Sequence, residues 1–513
     1  MEGFKGEKKE AVQWIEENKT FLTEIGDRIW LYAEPSLKEY RASKLLANEL
    51  EKAGFEVELG VAGLDTAFVA TCGQGNPVLS TVLEYDAVEG CSQMPVPYKH
   101  PVILGKAGTY DMHHGIGAGS LGAALAVKYV MEKHNIPGTL KVFGTPAEKM
   151  VTGKNIMERE GLFDHLDACI FWHPSHETSA DWFYSVQIRA TNFTTHTFEG
   201  VSAYTAMPWR GRNALRALEL MDVAVRYISD SIIPISHLPD ISSIIEKEYV
   251  VDYGRSSIPG IAKSTYCSRA ISRKDLEVIQ ERLFDCANAA ALALGVKVKN
   301  EDVNGTWEGM PNGVLANVVH KNIEVIGPPK LTPKDIEFGR LIRQEIGFEP
   351  SDMPFGSMEV LPPPGTRTMT NVLHGSDSTI LCYKCPFVRV AVSYYFGRTG
   401  APDWSTAALG ITNVAHQALL TGAKIIATSL LDLFTNPKTL REAKEEFSGR
   451  IKEVNFYNPI PEGRPTPKGQ PLSEEHYRAL VEAFKKGPKW EGYEPELSER
   501  MERVAQKVLH ELS

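Results

Sequence analysis

The chain has 513 residues, 43% hydrophobic and 23% charged, with a formal net charge of −10. That length allows more than one domain and a large buried core, and the acidic balance excludes nucleic acid as the main partner, because phosphate-backbone binding needs a basic excess. No run approaches the roughly eighteen unbroken apolar residues of a membrane span, and Met1 to Glu17 lacks the apolar stretch and cleavage site of a signal peptide, so a cytoplasmic protein with no membrane partner is expected.

In chain order, Lys8 to Ala53 reads as helices, with Trp14, Phe21, Ile25 and Ile29 at helical spacing. Short strands follow at Phe55 to Leu59, Thr66 to Thr71 and Val78 to Leu83, then a small-residue helix over Gly117 to Lys133, then strands at Leu140 to Phe143 and Ala168 to Phe171. This alternation predicts an α/β fold, a helix-covered and mostly parallel sheet. From Ser185 the pattern turns alternating and Thr-rich. A helix over Gly211 to Ser229, strands at Tyr249 to Val251 and Ala262 to Ser268, and a helix over Arg273 to Leu294 complete an inserted α+β unit of ferredoxin-like type. The first pattern resumes from Asn317, with a strand at Pro386 to Ala391 and a long helix over Ala407 to Leu433. The expected division is therefore a discontinuous catalytic domain over residues 1–184 and 305–451, an insertion over 185–304, and a linker with a helical appendage over 452–513.

Seven dispersed cysteines fit reduced, buried thiols better than a disulfide framework. Gly117-Ala-Gly119-Ser-Leu-Gly122 matches a dinucleotide fingerprint, but the polar segment Thr109 to His114 separates it from any strand, so the glycines are read as close helix packing.

Metal ligands must be Asp, Glu or His gathered in space, and strand ends commonly supply them. Three places qualify. Asp111 and His113 lie two apart before the glycine-rich helix, a spacing that points both side chains the same way if the segment is extended. Glu148 follows the strand Leu140 to Phe143, and His173 ends the strand that begins at Ala168. His114 and His176 are candidates to touch substrate.

Several segments carry a resemblance to a known family: Gly60-Val-Ala-Gly-Leu-Asp-Thr-Ala-Phe68, Glu84-Tyr-Asp-Ala87, Gly119-Ser-Leu-Gly-Ala-Ala124, Phe143-Gly-Thr-Pro-Ala-Glu148, Trp172-His-Pro174 and Pro208-Trp-Arg-Gly-Arg-Asn-Ala214. Together they are similar to the metallopeptidase family 20 amidohydrolases, most of all to the branch holding the p-aminobenzoyl-glutamate hydrolase B subunit, over roughly Thr20 to Leu433. The resemblance implies a catalytic domain, an inserted dimerisation domain with a homodimer or higher homo-oligomer, two divalent metals, and a glutamate base for cleaving amide bonds. It places metal ligands on Asp111, His113 and His173 and the base on Glu148.

The sequence departs from that pattern at three points. The carboxylate expected after the base is Lys149, the late histidine falls on Pro402 or Asp403, and the insertion histidine that would reach the scissile carbonyl is Tyr204. The expectation is therefore one ion, Mn, Zn, Fe or Co, with Lys149 neutralising the place of the second or turning away. Tyr204 would donate to the oxyanion, and Arg210, Arg212 or Asn213 would hold a substrate carboxylate. The activity expected is hydrolysis of a carbon-nitrogen bond in a small carboxylated substrate, as an amidohydrolase or as an aminohydrolase of an electron-poor aromatic amine. A non-catalytic descendant with a purely ligand-binding or partner-binding role is the rival.

Overall fold

The computed structural model describes residues 4–180, 188–234, 239–245, 256–310, 312–347, 375–396 and 404–512. Strands β1 (Glu56–Leu59), β2 (Phe68–Gln74), β3 (Val78–Leu83), β4 (Gly138–Gly144) and β5 (Ala168–Ser175) build the principal sheet with a late strand, β12 (Phe387–Ser393), in the order β1-β2-β4-β3-β5-β12. β3 runs parallel to both β4 and β5, and β5 is parallel to β12; β1 and β2 form an antiparallel margin beside β4. The parallel strands are buried along almost their whole length, as sheets covered on both faces require.

The covering helices include α1 (Gly6–Glu17), α2 (Lys19–Tyr32), α3 (Tyr40–Lys52), α4 (His113–His134) and the short α5 (Gly153–Arg159). Later come α8 (Gly313–Ile326), α9 (Pro333–Glu345), α10 (Trp404–Ala407), α11 (Asn413–Thr435) and α12 (Pro437–Ile451). α4 and α11 lie side by side over the sheet. Their approach is what the glycines permit: a Cβ on Gly119 would stand 3.0 Å from both the Leu419 carbonyl and the Trp172 ring, and one on Gly422 would stand 2.5 Å from that indole. The glycine run is thus a packing device, as its separation from a strand implied. α11 is long and apolar enough to cross a membrane by length and composition, and it is largely buried inside this fold.

Between β5 and α8 the chain forms a second unit in the order β6 (Ala190–Glu199), α6 (Ala214–Ile228), β8 (Asp240–Ile245), β10 (Ile261–Ala270), α7 (Arg273–Leu294) and β11 (Lys297–Thr306). A two-stranded ribbon of β7 (Ala203–Tyr204) and β9 (Ser257–Ile258) stands beside it. Its sheet order β11-β6-β10-β8, all antiparallel, is the ferredoxin-like arrangement. α6 and α7 bury Leu218, Met221, Leu276, Ile279 and Leu283 in a core of their own.

Two helices end the chain, α13 (Glu474–Lys486) and α14 (Glu496–Glu511), and their apolar faces join the principal core through Tyr477, Val481, Phe484, Met501, Val504 and Val508. All seven cysteines are buried and free. The strand expected at Tyr249 to Val251 lies outside the described residues. The helix expected over Ala407 to Leu433 is two helices, broken where Gly410 meets the Trp30 indole.

Candidate metal centre

Adjacent parallel strands deliver their carboxyl ends to one place, and the loops that follow carry the chemistry. Glu84 and Asp86 follow β3, Thr145 to Lys149 follow β4, and His173 lies near the end of β5. The β4 loop turns sharply, with Ala147 in the left-handed region at φ 57°, a position that costs a residue bearing a Cβ. Its N–H is held at 2.8 Å by the buried Glu39 carboxylate, which fixes the turn that presents Glu148.

The expected extended geometry at Asp111 and His113 is not what the chain adopts. Met112 sits in the left-handed region at φ 64°, and His113 is already the first residue of α4. The kink nonetheless brings the two side chains together, with Asp111 Oδ2 3.2 Å from His113 Nε2.

His113 is the hub. Its Nδ1 lies 2.6 Å from Asp86 Oδ1, and its Nε2 faces Glu84 Oε2 at 3.3 Å, Glu148 Oε2 at 3.7 Å and the ammonium of Lys149 at 3.0 Å. A carboxylate only accepts, so Nδ1 carries a proton and donates it to Asp86. Lys149 also donates to Glu148 Oε2 at 2.9 Å and forms an ion pair with Asp111. Burial works against charge on Glu148, but the ammonium groups of Lys149 and Lys154 hold its carboxyl below the usual carboxylate range. Burial, reinforced by the Arg389 guanidinium, pushes His173 well below the usual imidazole value. Its Nδ1–H is donated to the Pro174 carbonyl at 2.9 Å, which fixes the ring orientation of neutral His173.

Among the described residues, three sets bring ligand atoms within 4.8 Å of one another: Asp111, His113 and Glu148; Glu84, Glu148 and Asp377; and Glu84, His113 and His173. Lysines answer the first two. Lys149 takes the first set, and the fully buried Lys154 joins Glu84 and Asp377 at 2.7 Å each. The third shares His113 with the first set and Glu84 with the second, so the Lys149 and Lys154 ammonium groups reach it too; the buried Glu84 Oε2 and Asp111 Oδ1 nonetheless accept no hydrogen bond. Orphaned buried acceptors beside two imidazoles fit a single divalent ion.

Asp111, His113 and His173, expected as one ligand set, are therefore split: His113 is common to two sets, and Glu84 stands with the histidines where Asp111 was expected. His114 is not positioned for substrate, since it is fully buried and its Nε2 binds the Gly410 carbonyl at 2.7 Å. His176 is exposed, its ring tilted against that of Tyr395 with centroids 5.3 Å apart. Asn213 caps α6, its side-chain oxygen accepting from the Leu215 and Arg216 amides. Tyr204, Arg210 and Arg212 are exposed on the inserted unit, and no hydrogen bond or ion pair among the described residues joins them to Asp111, His113 or Glu148. Pro402 and Asp403 lie outside the described residues. Sequence reasoning missed Glu84, Asp86, Lys154, Ser376, Asp377 and Arg389; the paired carboxylates of Glu84-Tyr-Asp86 directly after a buried strand were the available signal.

No family model matches the chain. It is 28% identical over 476 residues to the p-aminobenzoyl-glutamate hydrolase B subunit of Escherichia coli, a match spanning 87% of this chain and 96% of that protein. It is 25% identical over 468 residues to the Xaa-Arg dipeptidase of Mus musculus, spanning 88% and 94%. A crystal structure provisionally assigned as an aminohydrolase, from methicillin-resistant Staphylococcus aureus, superposes with a TM-score of 0.56 at 15% identity over 83% of this chain and 99% of that one. An aminobenzoyl-glutamate utilization protein from Klebsiella pneumoniae does so with a TM-score of 0.52 at 15% identity over 79% and 97%.

Proposed function

We propose that this chain, a relative of the p-aminobenzoyl-glutamate hydrolase B subunit with the fold expected of the family 20 metallopeptidases, hydrolyses a carbon-nitrogen bond in a small carboxylate-bearing substrate, using one divalent ion and Glu148 as general base. The observation that supports the reading is the three overlapping ligand sets at Glu84, His113 and Glu148: Lys149 and Lys154 sit in two of them, and the third would take an ion once Lys149 leaves His113 Nε2.

Glu84 or Asp111, with His113 and His173, would hold the ion, whose Lewis acidity makes water acidic enough to lose a proton near neutral pH. The chain's own groups do the rest. Asp86 fixes the His113 ring and tautomer. Ser376 donates to Glu148 Oε1 at 3.2 Å, leaving Oε2 to take the proton once Lys149 swings aside and then to return it to the leaving nitrogen. Tyr204 would donate to the developing oxyanion and Arg210 or Arg212 would hold the substrate carboxylate, both from the inserted unit, through which copies of the chain would pair in the cytosol. Manganese, zinc, iron and cobalt all suit a set of imidazole and carboxylate donors.

A second reading has one observation in its favour: Lys149 neutralises both Asp111 and Glu148, which suits a binding protein that no longer turns over. Incubating metal-loaded protein with acyl amino acids, dipeptides and aminobenzoates, and following amino-acid and ammonia release, separates the readings. Chelator-sensitive release of an amino acid supports the amidohydrolase, release of ammonia the aminohydrolase, and no release from any of them the non-catalytic role.

A further inference from the structure

The C-terminal helices do more than cover apolar surface, because two chains of contacts lead from them to the paired histidines at the start of α4. In the first, the Tyr477 hydroxyl on α13 donates to the buried Glu34 carboxylate, and the Arg41 guanidinium lies 4.6 Å from the Tyr477 ring centroid. Glu34 in turn accepts from the Arg41 amide at 3.0 Å and the Ala42 amide at 2.9 Å, which fixes the start of α3. The Glu34 carbonyl takes the Ala87 N–H at 2.7 Å, and Ser36 donates to Asp86 Oδ2 at 2.7 Å. Asp86 is the residue that orients His113, and its Oδ2 also receives the Lys149 backbone N–H at 2.9 Å. In the second, Arg500 on α14 donates to the Ile411 carbonyl at 2.8 Å, and the preceding Gly410 carbonyl binds His114.

We infer that α13 and α14 form a brace for the centre, with Tyr477 as a positioning residue that fixes Asp86 and, through it, the His113 ring, and Arg500 as one that fixes the Gly410 to Ile411 turn holding the adjacent His114. Neither touches the candidate ligands. The brace acts by restricting the Glu34 to Ser36 turn and the Gly410 to Ile411 turn, so its loss loosens the supports of His113 while the sheet itself stays intact. Partners that orient a ligating histidine typically govern metal affinity by about 10- to 100-fold; groups one step further out act through them and carry a smaller share.

The test uses the full chain and compares Tyr477→Phe, Arg500→Gln and Arg500→Lys with Lys485→Gln, which alters only the exposed pair with Glu502. Hydrogen exchange read by mass spectrometry reports on the Arg41, Ala42, Ala87 and Lys149 amides without any metal. The expected result is faster exchange in peptides holding those amides in Tyr477→Phe, unchanged exchange in β4 and β5, and no effect of Lys485→Gln. The metal arm rests on the hydrolase reading: affinity for Mn or Zn, measured by chelator competition, should fall by about 3- to 10-fold in Tyr477→Phe and Arg500→Gln and recover in Arg500→Lys. Unchanged exchange at those amides, or a rise spread evenly over the sheet, overturns the brace. Wild-type protein that binds no metal overturns the hydrolase reading while the exchange result still decides the brace.

Discussion

The ammonium of Lys149 lies 3.0 Å from Nε2 of His113, on the side where that nitrogen also faces Asp111 and Glu148. A single amine thus satisfies three groups that would otherwise converge on a metal ion. Lys149, directly after Glu148, supplies a tethered charge beside Asp111 and Glu148, and under the proposed function this sets the expected stoichiometry.

Replacing that charge by a ligand should reverse the effect. Lys149→Glu is expected to bind a second divalent ion, because Asp111, His113 and Glu148 lose their internal cation and gain a fourth donor. Isothermal titration reads this directly, and a variant that still takes up one ion contradicts the role given to Lys149.

Glu148→Gln keeps the shape of the site and removes the proton acceptor. Metal content should stay at the wild-type level while kcat falls by about 10²- to 10⁴-fold, the usual range for losing a general base. Steady-state kinetics on whichever substrate is turned over provides the check, and loss of metal in this variant would instead make Glu148 a ligand.

The inserted unit has its own acid sensitivity. His196 is fully buried, its ring nitrogens bonded to Asn300 at 2.8 Å and Thr194 at 3.1 Å and its ring in edge-to-face contact with Tyr266 and Phe284. Burial lowers its pKa below the ordinary 6.5, so the unfolded chain binds this proton more readily than the folded one. The stabilisation is present above pH 6.5 and is lost as pH falls through the folded-state value. Thermal melts from pH 7.5 to 5 should show a decline in Tm that is shallower in His196→Gln.

The α4 and α11 contact sets a packing limit. Alanine at position 422 is favoured over glycine by about 1 kcal/mol of helix propensity, but its Cβ would fall 2.5 Å from the Trp172 ring. Overpacking of this kind costs about 1 to 3 kcal/mol, so Gly422→Ala should lower the denaturant midpoint rather than raise it.

Much of this organisation was legible from periodicity. Val78 to Leu83 and Arg273 to Leu294 have the bounds their patterns predict, because an apolar run ending in turn residues and a Ser272 cap with Gly295 at the far end leave little freedom. What could not be read was how loops fold back. The left-handed turn at Met112 moves His113 into a helix, and Glu84 joins His173 only because β3 and β5 pair in parallel, a relationship nearly ninety residues apart in the chain. Asn213 caps α6, a role that its place before Ala214 allowed but that the resemblance did not single out. The contact of Tyr477 with Glu34 depends on tertiary docking that no local pattern encodes.

The number of divalent ions carried per chain decides most directly whether lysines have taken over all but one of the cation positions. Elemental analysis of the purified, dialysed protein, set beside His113→Ala, should give one ion for the wild type and none for the variant. Two ions per wild-type chain, or a full complement retained by His113→Ala, would contradict a single centre built on His113.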